Sequence, residues 1–310
     1  MNNEYDVVII GAGPSGLSAG IQLAEFGLRV VALDLESEPG GVIRRIRHVD
    51  YYPGFPDGIS SSEFIEKLVQ HGRKSGFVIH TNEEVTSLSV KRRDKLVETT
   101  KSKYSAKAVI IASGSPDGED EGWFGSGIFY CTECCKDFLR GRDLILVGST
   151  SKAIDESMNL IDLASHVTLV NQTNSIRLTR EDRARLKQKH VNLIEDHAVV
   201  RIEGKPLQKL VTLRRVGDDD KESTIKAEGV VIIGKLKPIV EILSKEGIKT
   251  HRQGCIIVDK HGRTNVDGVV AAGPCTSVCK VGVPLCVGEG TNVAAAVRFY
   301  LLRGKALCQK

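Results

Sequence analysis

The chain has no apolar run near the roughly 18 residues that a membrane-spanning helix needs, so none is expected. Its first residues, MNNEYDVVIIGAG, lack the basic region of a secretory leader and pass straight into a strand pattern, which predicts a cytoplasmic protein. Charge of one sign is also scarce. The 43 Lys and Arg nearly balance 39 Asp and Glu, and the net +4 suits an acidic partner without predicting nucleic-acid binding. Aromatic residues make up only 5%, against 31 glycines, a bias that suits an α/β protein with tight nucleotide-binding turns. Cysteine, by contrast, is plentiful. Eight in a reducing compartment point to redox or metal chemistry and away from a structural disulfide framework. The 310 residues, 41% of them hydrophobic, suffice for one large domain or two medium ones.

Residues 5–10, YDVVII, form an apolar, β-branched run that reads as a buried parallel strand. Gly11, Gly13 and Gly16 follow as G-x-G-x-x-G, with Pro14 and Ser15 inside the motif. Leu17, Ile21, Ala24 and Leu28 then mark one face of a helix, and a second apolar strand over 29–33 ends at Asp34. Each glycine has its own task. Gly11 permits the tight turn, Gly13 lets backbone approach a pyrophosphate, and Gly16 lets helix and strand pack closely. The helix N-terminus offers N–H groups and a positive dipole end to the phosphates. Asp34 can accept from ribose hydroxyls. These parts in register predict a dinucleotide site.

Residues 40–56 read GGVIRRIRHVDYYPGFP. With the first motif, this segment resembles the low-molecular-weight thioredoxin reductases, whose G-G-Q-L and P-G-F-P elements line FAD. Gly40, Gly41, Pro53, Gly54, Phe55 and Pro56 match; Val42 replaces a Gln and Tyr51 an Asn. The resemblance covers almost the whole chain. It implies an α/β protein of two Rossmann-like three-layer nucleotide-binding domains, the second inserted into the first. The FAD domain would be discontinuous, over 1–114 and 239–310, around an NADPH-domain-like insertion over 115–238 that carries a redox dithiol. By resemblance, Gly11, Gly13, Pro14, Ser15 and Asp34 hold FAD together with Gly40, Gly41, Val42 and Tyr51. Val85, Ala112, Gly114, Gly273 and Pro274 join them from later in the chain. Pro274, in AAGPC at 271–275, stands where the family has an Asp that bonds the flavin nucleotide. Gly288 and Gly290 are expected to precede the last helix, over EGTNVAAAVRFYLL.

Residues 129–135 read FYCTECC. Two cysteines three apart fit a redox dithiol, half of a metal clamp, or inert buried thiols. A structural zinc site commonly uses a second C-x-x-C, which is missing. Cys275, Cys279 and Cys286 cluster at a spacing unlike the common iron–sulfur patterns. A redox dithiol is preferred and no metal is expected. At a helix start two such thiols face each other, and the helix N-terminus lowers one thiolate pKa. The resemblance implies that Cys134 meets the flavin and Cys131 exchanges with substrate. The family's proton-relaying Asp after the second cysteine is Cys135 here. Cys135 is left with two roles, relay or alternative disulfide partner, and Glu133 and Asp137 are the nearby acids.

A second strand–turn–helix unit begins at DLILV, 143–147. Its turn reads GSTSKA, Gly148 to Ala153, where the family has G-x-G-x-x-A for NADPH. Thr150 replaces the middle glycine and would crowd the pyrophosphate. NQTNSIR, 171–177, replaces H-R-R-x-x-x-R and keeps only Arg177. Lost arginines remove charge-assisted, bidentate bonds to a 2′-phosphate. NADPH is therefore expected to bind poorly or not at all. The expected enzyme is an FAD-dependent, thioredoxin reductase-like disulfide oxidoreductase, homodimeric by resemblance, acting on a thioredoxin-like protein or small disulfide. Its donor is left open among reduced ferredoxin, another soluble carrier, or reverse flow as an oxygen-using dithiol oxidase. Arg44, Arg45, Arg47 and His48 are a candidate patch for an acidic carrier, or a solvated turn. A non-catalytic FAD-binding redox sensor is the alternative of another class, and the dithiol argues against it.

Overall fold

The β-branched N-terminal run forms β1 (Glu4–Ile10), which α1 (Pro14–Glu25) connects to a parallel neighbour, β2 (Val30–Leu33). The computed structural model describes residues 3–45, 48–49, 51–90, 94–114, 127–129, 132, 135–171, 178–205, 207–217, 221–233, 238–251, 254–276 and 282–307. Two units result, one of Met1–Pro116 with Leu236–Lys310 and one of Asp117–Lys235.

In the first unit, β3 (His48–Val49) pairs with β4 (Ile59–Ser60) ahead of α2 (Ser61–Lys74). Ser60 Oγ accepts the Glu63 N–H at 3.2 Å and starts that helix, as its place before an acidic first turn dictates. β5 (Val78–His80), β6 (Val85–Ser89), β7 (Lys95–Thr99) and β8 (Lys103–Ile111) follow. The sheet runs β5-β2-β1-β8-β7-β6, with β7 antiparallel to both its neighbours.

The second unit holds β9 (Ile128–Phe129), α3 (Lys136–Leu139), β10 (Asp143–Val147), α4 (Ser151–Leu160), β11 (His166–Asn171), α5 (Arg180–Gln188) and β12 (Asn192–Glu195). β13 (His197–Glu203), β14 (Lys209–Arg215) and β15 (Glu222–Ala227) form a separate antiparallel sheet. β16 (Gly229–Ile232) completes a parallel sheet ordered β12-β11-β10-β16-β9.

The chain then returns to the first unit through α6 (Pro238–Lys245), β17 (Val269–Ala271), which lies parallel beside β8, and α7 (Val283–Leu307). Alternation along β1 builds three layers. Val7 and Ile9 face Leu17, Leu23 and Val293 of α1 and α7. Val8 and Ile10 face Val97 and Leu243 on the other side.

Two expectations need correction. The charged run KRRDK, 91–95, reads in the sequence as a solvated hairpin, yet its Lys95 is only 3% exposed, and burial lowers its ammonium pKa. The last helix begins at Val283, so Gly288 and Gly290 lie inside it. Packing explains the second difference. A Cβ at Gly290 would stand 2.3 Å from the Ser15 carbonyl oxygen, so glycine lets α7 cross the first turn of α1 without ending the helix.

Candidate active site

The first unit converges on the start of α1. Gly11 adopts φ +102°, and a Cβ there would lie 2.3 Å from the Ala112 carbonyl oxygen, after β8. A Cβ on Gly16 would lie 2.0 Å from the Gly11 carbonyl oxygen. These two glycines are packing requirements. Gly13 differs: an added Cβ would meet nothing within 4 Å. It is the N-cap of α1 and supplies no side-chain cap, so the free N–H groups of the first turn face open space. Pro14 occupies the first helical position. Gly40 N–H donates to the Ala12 carbonyl at 2.8 Å, and Gly41, at φ +56°, approaches the Gly13 Cα. The paired glycines thus sit against the nucleotide turn, with Val42 beside them in the 3-10 turn Gly41–Arg45.

Asp34 follows β2 and is buried. Its Oδ2 accepts the Ala12 N–H at 2.5 Å and its Oδ1 the Glu36 N–H at 2.9 Å. The carboxylate therefore fixes the turn, at the end of β2 where a ribose hydroxyl would donate to it. Ser15 Oγ is buried with no hydrogen-bond partner among the described residues. A hydroxyl held this way beside uncapped N–H groups fits a phosphate oxygen. Gly273, at φ +83°, packs against that hydroxyl, and Gly114 turns away from β8 at φ +76°. Val85 is remote in kind: its side chain belongs to the core between the sheet and α6, which leaves only its backbone for a ligand. Tyr51 is 75% exposed, and Pro274 offers no carboxylate. An open α1 terminus, an orphaned hydroxyl and a ribose-competent acid together fit FAD, whose dinucleotide chain needs each of them.

Sequence reasoning passed over buried acids, among them Glu289 and Glu156. Glu289, inside α7, accepts the Gly273 N–H on Oε2 at 2.6 Å. Glu156, on α4, accepts from Thr132 Oγ1 at 2.5 Å. Acids in helical patterns read as solvated faces, and only tertiary placement shows otherwise. The one local signal for Glu289 is its place between Gly288 and Gly290.

Cys131 and Cys134 lie outside the described residues, as do Glu133, Gln172, Arg177, Cys279 and Arg47. Cys135 is described. It is buried, its N–H donates to the Thr132 carbonyl at 3.3 Å, and its sulfur is disulfide-bonded. α3, directly after it, spans only Lys136–Leu139, too short for the helix-dipole effect expected on a thiol there. Asp137 is exposed. Cys255, Cys275 and Cys286 are buried. Burial pushes the Cys275 thiol up to about 12, with Cys255 and Glu289 adding to the effect, so it stays protonated near neutrality and is no nucleophile. Arg44, from the candidate basic patch, pairs with Glu38.

The second turn differs from the first in one respect that matters. Thr150 is the N-cap of α4, and its Oγ1 accepts the Ala153 N–H at 3.2 Å. The chain's own hydroxyl thereby takes a donor that a pyrophosphate would use. Gly148 is tight against the Ile233 carbonyl, and Asn171 is buried at the end of β11.

Residues 5–298 match the family model described as pyridine nucleotide-disulphide oxidoreductase, and the chain belongs to that family. The thioredoxin reductase of Listeria innocua is 30% identical over 295 residues, covering 92% of this chain and 90% of its own. The crystal structure of thioredoxin reductase from Streptococcus pyogenes is similar at TM-score 0.61 and 28% identity, over 98% of this chain and 100% of that one. A ferredoxin-flavin thioredoxin reductase from Clostridium acetobutylicum is similar at TM-score 0.53 and 27% identity, over 97% and 99%. The protein is an FAD-dependent disulfide oxidoreductase of the thioredoxin reductase-like class.

Gly13→Val separates binding from folding. The space around Gly13 accepts the side chain, so the thermal midpoint of the flavin-free protein should stay within a few degrees. FAD affinity should fall by on the order of tenfold or more, because the side chain fills the phosphate approach. Full flavin retention on gel filtration would show that FAD does not use this turn.

Proposed function

We propose that the enzyme reduces a disulfide of a thioredoxin-like protein or small molecule with electrons from a soluble carrier such as reduced ferredoxin, and makes little use of NADPH. The observation that carries the donor half is Thr150, whose hydroxyl caps the helix that an NADPH pyrophosphate would approach. The likeness to a protein titled for ferredoxin supports the same choice.

Bound FAD supplies the two-electron carrier. The chain supplies the sulfur chemistry through Cys131, Cys134 and Cys135. One thiolate of this cluster attacks a sulfur of the substrate disulfide. The substrate S–S bond breaks, a mixed disulfide forms, and the departing substrate thiolate takes a proton. A second cluster thiolate attacks the enzyme sulfur of that mixed disulfide and releases the other substrate thiol. The enzyme is left with an internal disulfide, a reading that the disulfide-bonded Cys135 supports. Glu156 accepts from the Thr132 hydroxyl, whose residue's carbonyl accepts the Cys135 N–H, and so it positions the turn that carries Cys135.

Two outcomes are expected. Under anaerobic conditions, reduced ferredoxin should bleach the flavin within seconds, whereas NADPH and NADH should do so at least about a hundredfold more slowly, as lost charge-assisted contacts dictate. Rapid stoichiometric bleaching by NADPH would overturn the donor assignment. Separately, Cys135→Ser should lower disulfide reduction by on the order of a thousandfold while leaving FAD bound; full activity would place Cys135 outside the exchange.

A further inference from the structure

We infer that Glu289 is a flavin-binding residue, accepting a hydrogen bond from a hydroxyl of the ribityl chain of FAD. The inference rests on FAD occupying the first unit.

The sheet order assigns directions to the ligand. Asp34 follows β2, on one side of β1, while Ala112–Gly114 and Gly273 follow β8 and β17, on the other. Ligands of such sheets lie outside the carboxyl ends of the strands. With the adenosine ribose at Asp34 and the pyrophosphate at the α1 terminus, the rest of FAD runs toward β8 and β17. Glu289 is on that side. It is 8% exposed and reaches the Gly273 N–H at 2.6 Å. Gly290 seats the same turn of α7 on the Ser15 carbonyl, and Gly273 packs on the Ser15 hydroxyl, which is buried and has no hydrogen-bond partner among the described residues.

Chemistry then selects the ligand group. An ionised carboxylate only accepts, and it repels phosphate oxygens. Burial in this position is favourable only with donors at hand. On the flavin side of the pyrophosphate, the groups of FAD that donate from the chain are the ribityl hydroxyls. Glu289 thus supplies from α7 a carboxylate that Pro274 cannot supply from the loop after β17.

The test compares full-length wild type, Glu289→Ala and Glu289→Gln. FAD release on dilution is followed by flavin fluorescence, with FAD and with analogues lacking one ribityl hydroxyl each. Glu289→Ala should weaken FAD roughly tenfold, as expected for a hydrogen bond to a charged acceptor. Glu289→Gln, which keeps an accepting oxygen, should weaken it less. One deoxy analogue should weaken wild type to a similar degree and have no further effect in Glu289→Ala. Equal FAD affinity in all three proteins, or the same penalty for every analogue in wild type and Glu289→Ala, would overturn the inference. If Glu289→Ala does not fold, the analogue series on Glu289→Gln decides it. A wild type that takes up no FAD would remove the premise, which is a different failure.

Discussion

The close approach of α1 to the ends of β1 and β8 is the contact on which the first unit depends. Gly16 rests on the Gly11 carbonyl, and Gly11 on the Ala112 carbonyl, each at a distance that no Cβ allows. That approach aims the first turn of α1 outward beyond the strand ends, where Gly13 leaves its N–H groups uncapped. The Asp34 carboxylate accepts the Ala12 N–H, the Gly40 N–H donates to the Ala12 carbonyl, Gly41 lies against Gly13, and α7 crosses the turn at Gly290. Segments from both ends of the chain thus share one anion-binding terminus.

The second unit repeats the plan with the opposite electrostatic outcome. Both α1 and α4 follow a parallel strand and a glycine turn. At α1 the N–H groups are available; at α4 a threonine hydroxyl takes one of them. A side-chain cap stabilises a helix by ~1 kcal/mol. The same bond competes with a pyrophosphate. Stability of the helix and retention of a nucleotide site therefore pull against each other at residue 150.

What could be read from the sequence divides along the same line. The packing roles of Gly11 and Gly16 were legible because each is local and stereochemical. The start of α7 was not: its glycines suggested that the helix begins after them, while packing against α1 kept them inside it. Glu289 and Glu156 were invisible because a carboxylate in a helical pattern reads as solvated until a tertiary neighbour buries it. Among three clustered cysteines, spacing alone favoured the pair at 131 and 134.

The central claim is that one chain carries both a flavin and an exchangeable disulfide engaging Cys135. An anaerobic reductive titration of the FAD-loaded protein tests it most directly. Wild type should take up two electron pairs per chain, one for the flavin and one for the disulfide, and Cys135→Ser should take up only the flavin's pair. Uptake of a single pair by both proteins would contradict the account.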